Sequence, residues 1–323
     1  MEGIVILVDS KGKGYGFAKG VCEYIMKKEG RQFPVIMADI LRTDFVDGEY
    51  KLKISHNVRR KSVFFIHDPN KDSCRWITDL LFTLEAMSFS SPEEVNVVFP
   101  YTRFARQERK DESRVSVNIK GVADLVSLYA DRGMTLDLHA PQIQEYFEIL
   151  FDNLKSAPVL VNYLLEKHSG ILTNLVIVSP DAGGGKRVEE LQKSLANKGV
   201  NAEIAVCYKK RSRENQVDEI KIMGEVSGKN CLVLDDIIDT GNTLIKTCEE
   251  LKKAGARKVI AYGTHGLFSK GTEKFNLFDK VIVSDTLFNN PSERIEILSA
   301  VSLFGEAIYR TYRGESLSVL FNQ

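Results

Sequence analysis

Short apolar runs rich in β-branched residues recur along the chain, separated by longer stretches with helical spacing. That alternation predicts a parallel sheet covered by helices, because parallel neighbours need a crossover connection and the crossover is usually a helix. The clearest predicted strands cover residues 4–8, 62–66, 95–99, 135–138, 175–178, 202–206, 231–234, 258–261 and 280–283. Helical patterns fall between them at 76–87, 117–129, 157–167, 186–197 and 243–254. The last ends in Lys252, Lys253 and Gly255, a cationic final turn followed by a glycine stop.

A chain of 323 residues has room for two domains at the usual ~150 residues each. Residues 147–158 divide it into halves that each hold several βα units. The expected fold class is therefore α/β, with two tandem domains at 1–152 and 153–323. No short repeat and no low-complexity segment is visible. The polar run KKRSRENQVD (209–218) reads as a long mobile loop.

The charge balance narrows the partners. Basic and acidic residues number 44 each, whereas a protein that holds a nucleic-acid backbone usually shows a basic excess. Nucleic acid is therefore disfavoured. Small phosphorylated ligands stay open, since local Lys, Arg and backbone N–H groups bind them without shifting the total. The cysteines at 22, 74, 207, 231 and 248 are scattered and odd in number, which fits free thiols in a reducing compartment. The opening MEGIVILVDSKGKGYG lacks the order of a signal peptide, and no apolar stretch nears the ~20 residues that cross a bilayer. A cytoplasmic location, without membrane contact, is expected.

The strongest chemical signal is CLVLDDIIDTGNTL (231–244). An apolar strand is expected to deliver Asp235 and Asp236 at its carboxyl end, and Asp239-Thr240-Gly241-Asn242-Thr243 then turns into a helix. Ligands of open α/β sheets bind at that kind of place. Backbone N–H groups, threonine hydroxyls and the helix start suit a phosphate, and ionised carboxylates accept hydrogen bonds from the vicinal hydroxyls of a ribose. The plainer reading is an acidic turn after a buried strand. Two acids followed by D-T-G-x-T make that reading the weaker one.

This segment resembles the ribose-phosphate motif of the phosphoribosyltransferase superfamily. The rest of the chain resembles one branch of it, the ribose-phosphate diphosphokinases. The resemblance runs through FVDGE (45–49), FARQERKDESR (104–114), DLHAPQIQEYF (137–147), VSPDAGGGKR (178–187), YKKRSRENQVD (208–218), THGLFS (264–269) and RGESLSVLF (313–321), in the order of that branch. It implies two phosphoribosyltransferase-like domains, the first with the ATP-binding loop, the second with the ribose-phosphate, diphosphate and catalytic loops. It also implies transfer of the β,γ-diphosphate of ATP to the C1 hydroxyl of ribose 5-phosphate.

The resemblance assigns roles residue by residue. Arg106, Gln107, Arg109 and Asp111 would contact ATP, although a charge run of this kind is ordinarily a solvated loop. Phe45, Asp47 and Glu49 would reach into a neighbouring subunit to hold adenine. The active site would then exist only in a dimer-based homo-oligomer, up to a hexamer. His139 and Asp181 would hold Mg²⁺ at ATP, and Asp181, Ala182, Gly183 and Gly184 would form the diphosphate loop. Asp235, Asp236 and residues 239–243 would hold the ribose phosphate, and Lys209 and Arg211 would close over the substrates as catalytic cations. Arg59, Arg114, Ser316, Ser318 and Phe321 would form an anion site through which phosphate and ADP regulate.

The chain departs from the branch at Asn242, where glycine is usual, in the opening VDSKGKGYGFAKG, and at His67-Asp68-Pro69. The alternative acceptor is a larger 5-substituted ribose such as ADP-ribose. A third reading, a non-catalytic regulatory homologue, is disfavoured because the Lys-x-Arg pair is present.

Overall fold

The computed structural model describes residues 3–30, 33–210, 219–287 and 291–321. Two seven-stranded sheets carry the chain. The first contains β1 (Ile4–Val8), β2 (Val35–Asp44), β3 (Tyr50–Ile54), β4 (Ser62–Ile66), β5 (Glu94–Phe99), β6 (Arg132–Leu136) and β7 (Leu150–Leu154). The second contains β8 (Leu175–Ser179), β9 (Ala202–Lys210), β10 (Glu219–Met223), β11 (Asn230–Ile238), β12 (Lys258–Gly266), β13 (Lys280–Ser284) and β14 (Ile295–Leu298). The helices are α1 (Tyr15–Glu29), α2 (Ser73–Ser88), α3 (Asn118–Tyr129), α4 (Ala157–Lys167), α5 (Gly185–Asn197), α6 (Asn242–Lys253) and α7 (Val301–Arg313). The α/β class expected from the sequence is what forms.

The two sheets repeat one strand order. The first runs β3-β2-β1-β4-β5-β6-β7 and the second β10-β9-β8-β11-β12-β13-β14. In each, the hairpin partner at the edge is antiparallel, as β3 is to β2 and β10 to β9, and the other pairs are parallel. Central strands such as β1 and β8 are buried along their whole length, which requires apolar side chains on both faces and explains their unbroken β-branched runs.

Two compact units result, one of Met1–Lys155, Thr286–Phe288 and Ala300–Leu320, the other of Ser156–Asp285, Asn289–Ser299 and Phe321–Gln323. The first break falls close to the expected 152/153. Most of the C-terminal segment, however, groups with the first unit rather than with 153–323. The cause is packing of α7 on α1: Phe17 meets Phe304 edge-on with centroids 5.5 Å apart, and Glu306 accepts from Tyr24 and Lys28. β7 lies within the stretch 147–158 and completes the first sheet through pairing with β6.

Candidate functional site

In the second unit, three segments leave the carboxyl side of the parallel strands β8, β9 and β11. After β8, Asp181 starts a short turn at Ala182–Gly184 that leads into α5. Its Oδ1 accepts from the backbone N–H of Gly183 at 3.0 Å and of Gly184 at 3.2 Å. Gly184 has to be glycine here, since a Cβ would stand 2.5 Å from Ser179 Oγ.

β11 runs further than expected. It continues through the two acids to Ile238, because its pairing with β12 persists: Asp235 lies opposite Gly263 and Ile238 opposite Gly266. Asp235 and Asp236 are thus strand residues pointing to opposite faces, and not members of the turn after the strand. Asp236 is buried at 4% exposure. Arg187, in the first turn of α5, lies near both, with Nη2 3.2 Å from Asp236 Oδ1 and Nη1 3.8 Å from Asp235 Oδ1. Burial and the neighbouring Asp236 charge push the Asp235 carboxyl above its ordinary range, with Arg187 opposing and Asp181 adding to the rise.

After β11, Gly241 takes a left-handed conformation (φ 69°) and begins α6 without a side-chain cap. A Cβ at this position would meet Phe275 at 2.3 Å. Asp239 accepts from Ser269 Oγ. Asn242 is exposed, and its Oδ1 accepts from Lys274 Nζ at 3.3 Å. Asp181, Asp235, Asp236 and the 239–243 turn are therefore brought together in one unit, with Arg187 between them. Arg187 falls within VSPDAGGGKR with no role expected of it from sequence; its place in the first turn after a glycine-rich loop was the available signal. Lys209 sits near the end of β9, paired with Ile220 of β10, and Arg211 lies outside the described residues.

The first unit holds the other expected residues, spread over several loops. Phe45, Asp47 and Glu49 form the exposed β2–β3 turn, where Glu49 N–H donates to Asp47 Oδ1 and Phe45 N–H to the Glu49 carbonyl. After β5, Gln107 Nε2 donates to the Arg109 carbonyl at 3.1 Å and meets Asp111 Oδ1 at 3.5 Å, while Arg106 and Arg109 are exposed. His139 is exposed beyond β6. Ser316 and Ser318 join their hydroxyls at 2.8 Å. No hydrogen bond or ion pair links them to Arg59 or Arg114 among the described residues. Phe321 is partly exposed and groups with the second unit.

A parallel strand that carries paired acids near its carboxyl end, followed by a left-handed glycine and an uncapped helix start, defines a phosphoribosyltransferase-like α/β protein. Comparison with known proteins narrows the class. A model of the N-terminal domain of ribose phosphate pyrophosphokinase matches residues 12–129, and one of a phosphoribosyl synthetase-associated domain matches residues 186–322. Curated ribose-phosphate pyrophosphokinases from Chlorobaculum tepidum and Aquifex aeolicus are 37% and 38% identical to the chain, covering 92% and 88% of it and 92% and 91% of their own lengths. The crystal structure of phosphoribosylpyrophosphate synthetase from Mycobacterium smegmatis superposes with a TM-score of 0.84 at 25% identity, over 97% of this chain and 99% of that one. The chain belongs to the ribose-phosphate pyrophosphokinase family.

Proposed function

We propose that the chain transfers the β,γ-diphosphate of ATP to the C1 hydroxyl of ribose 5-phosphate, giving phosphoribosyl diphosphate and AMP. The observation that carries this reading is the Asp235–Asp236 pair set between Arg187 and the uncapped start of α6, in a chain of this family. The two carboxylates accept from the sugar hydroxyls, and the N–H groups and hydroxyls of 240–243 receive the 5-phosphate. Residues 181–184 receive the transferred diphosphate. For this, Asp181 releases the glycine N–H groups it now caps, which turns the loop from self-capped to anion-binding.

Arg106, Gln107, Arg109 and Asp111 orient ATP. Phe45, Asp47 and Glu49, exposed on their turn, hold the adenine of a neighbouring subunit in a dimer-based homo-oligomer, with Phe45 stacking on the base. Lys209 and Arg211 neutralise charge that develops on the transferred group.

The donor chemistry fits Mg²⁺, since Asp181 and the Asp235–Asp236 pair offer hard oxygen ligands. Among the described residues no group of three or more side chains forms a closed metal cage, which suits an ion held by few protein oxygens together with phosphates and water. Asp181 would hold it, with His139 as the second protein contact. Bound there, the ion supplies charge neutralisation of the polyphosphate. Arg59, Arg114, Ser316, Ser318 and Phe321 serve as a regulatory anion site for phosphate and ADP. Among the described residues no helix is long and apolar enough to cross a membrane.

The test is to incubate the protein with ATP, Mg²⁺ and either ribose 5-phosphate or ADP-ribose and to identify products by mass. Phosphoribosyl diphosphate and AMP are expected from the first mixture. Turnover of ADP-ribose without turnover of ribose 5-phosphate overturns the acceptor and leaves the diphosphate transfer standing. No product from either overturns both.

A further inference from the structure

The repeated strand order places a second cleft in the first unit at the position that the candidate site takes in the second. β1 corresponds to β8, β2 to β9 and β4 to β11. In both units the chain leaves the first of these strands through an acid and a glycine-rich turn, then enters a helix that has no side-chain cap. Asp9 Oδ1 accepts from Lys11 N–H at 3.1 Å, as Asp181 Oδ1 accepts from Gly183 N–H at 3.0 Å. β4 delivers the buried Asp68 where β11 delivers Asp236. At Gly12 a Cβ would stand 2.6 Å from Asp68 Oδ2, so the turn needs glycine to approach that carboxylate.

A cavity of about 480 Å³ lies there, within the range of small-molecule sites. Its charges do not cancel evenly. Asp9 pairs with Lys71 at 3.0 Å, and Asp39 accepts from both the N–H and the hydroxyl of Ser10. Asp44 pairs with Arg42 Nε, and Asp68 accepts from the N–H of Asn70 at 2.8 Å. The acids on the wall are thus committed to protein donors. Lys11 and Lys13 also line the cavity, and among the described residues their ammonium groups have no partner. Arg42 is already engaged, donating through Nε to Asp44 and lying over the Tyr50 ring, and Arg42 Nη1 is 3.9 Å from Asp79. Two lysine ammonium groups without acceptors, in a cleft whose carboxylates are already engaged, call for an anionic ligand with several acceptor oxygens.

We propose that this cleft is a second anion site, which takes the phosphate or diphosphate group of a small molecule on the ammonium groups of Lys11 and Lys13, beside the 9–14 turn. It lies outside the reaction proposed above, and none of its residues is assigned to that reaction.

Hydrogen exchange of the full-length protein with added inorganic diphosphate tests it. Protection is expected at residues 9–18. In the double variant Lys11→Ala/Lys13→Ala the diphosphate concentration giving half protection there should rise at least tenfold. Both lysines are exposed, so the variant should fold, and Lys19→Ala on α1, which follows the turn, should leave the response intact. Orthophosphate, ADP and ribose 5-phosphate, added in turn, identify the source of the phosphate. The site is overturned if none of the four probes protects 9–18, or if the protection is the same in the double variant. Loss of a response at 180–187 alone would count against the reading of the second unit and leave this one intact.

Discussion

Arg187 Nη2 lies 3.2 Å from Asp236 Oδ1, and this contact holds the acidic pair of the candidate site in place. Asp236 is 4% exposed and the guanidinium is the cation facing it and Asp235. Removing that cation takes away a compensating charge from a buried acidic pair. Arg187→Ala should destabilise the second unit by about 1–3 kcal/mol, less than a fully buried pair because the arginine is partly exposed. It should also raise the KM for ribose 5-phosphate more than it lowers kcat, with Arg187→Lys between the two. Thermal melting and steady-state kinetics read both effects. A variant with wild-type KM and stability would remove Arg187 from the site.

The turn into α6 separates two neighbouring residues sharply. Gly241 has φ 69° and no room for a Cβ beside Phe275, so Gly241→Ala combines backbone strain with a clash. Its expected cost is about 1–3 kcal/mol, visible as a lower melting temperature together with lost activity. Asn242 is exposed and makes one weak contact, to Lys274. Asn242→Gly should therefore keep ribose 5-phosphate turnover within a few-fold. Selective loss on that substitution would mean that the amide takes part in binding.

Much of this architecture was legible in the sequence, and the failures have physical causes. β1 reads IVILV because both of its faces are buried, so apolarity alone reveals it. β2 and β3 escaped because they form an edge hairpin whose residues alternate in exposure and carry Arg42, Asp44, Lys51 and Lys53. β7 hides behind Asp152 and Asn153, which are used: Arg132 pairs with the former, and the latter accepts from Leu138 N–H. α1 and α7 were missed because glycines interrupt their pattern. Those glycines answer to the packing of one helix on the other, since a Cβ at Gly305 would meet Tyr24 at 2.6 Å and one at Gly20 would meet Val301 at 3.0 Å. Such a requirement joins segments almost a whole chain apart and has no local signature. At the site, the acids were legible from motif alone. The contact of Arg187 with them was not, because it depends on how α5 packs over β11.

The Lys-x-Arg segment supplies a kinetic test. Lys209 lies near the end of β9, and Arg211 lies outside the described residues. Lys209→Ala and Arg211→Ala should each lower kcat by orders of magnitude while the affinity for ATP stays nearly unchanged, as expected of groups that act mainly on the transition state. Single-turnover rates with direct ATP binding separate the two quantities. Near-wild-type turnover in both variants would sink the catalytic assignment.

Acid should weaken the two units through different groups. Complete burial and the nearby Lys71 charge lower the His67 pKa from 6.5 to about 3, while the ring is held by Phe65, Trp76 and the Trp76 carbonyl. Between those values the unfolded chain binds the proton that the folded one refuses, so stability of the first unit falls as pH drops from 6.5 towards 3. Glu296 behaves as an acid should. Burial alone would push its carboxyl up, but hydrogen bonds from Lys280, His168 and Tyr163 outweigh that and hold it at about 2 against an ordinary 4.5. Its contribution is present above 4.5 and is lost as pH falls to 2. Denaturant titrations at stepped pH should show His67→Gln flattening the upper window and Glu296→Gln the lower one. Unchanged slopes in either variant would mean that other groups govern that window.

The last prediction concerns the C-terminal helix. Glu306 accepts from Tyr24 at 2.9 Å and from Lys28 at 2.6 Å on α1, and from Arg310 at 2.7 Å on its own helix. Burial raises its carboxyl and those three donors outweigh the rise, so its pKa lies below the ordinary value. Glu306→Ala takes the shared acceptor from Tyr24 and Lys28, while Arg310 keeps Glu315 and the Ser316 carbonyl. The cost should be about 2–3 kcal/mol, between that of an unsatisfied group and that of a broken buried pair. It should appear as faster proteolysis and hydrogen exchange in both α1 and α7, since each covers the apolar surface of the other. Glu306→Gln keeps an acceptor and should recover part of the loss. If α7 alone loosens while α1 keeps its protection, the helix is an appendage of the first unit and not part of its core.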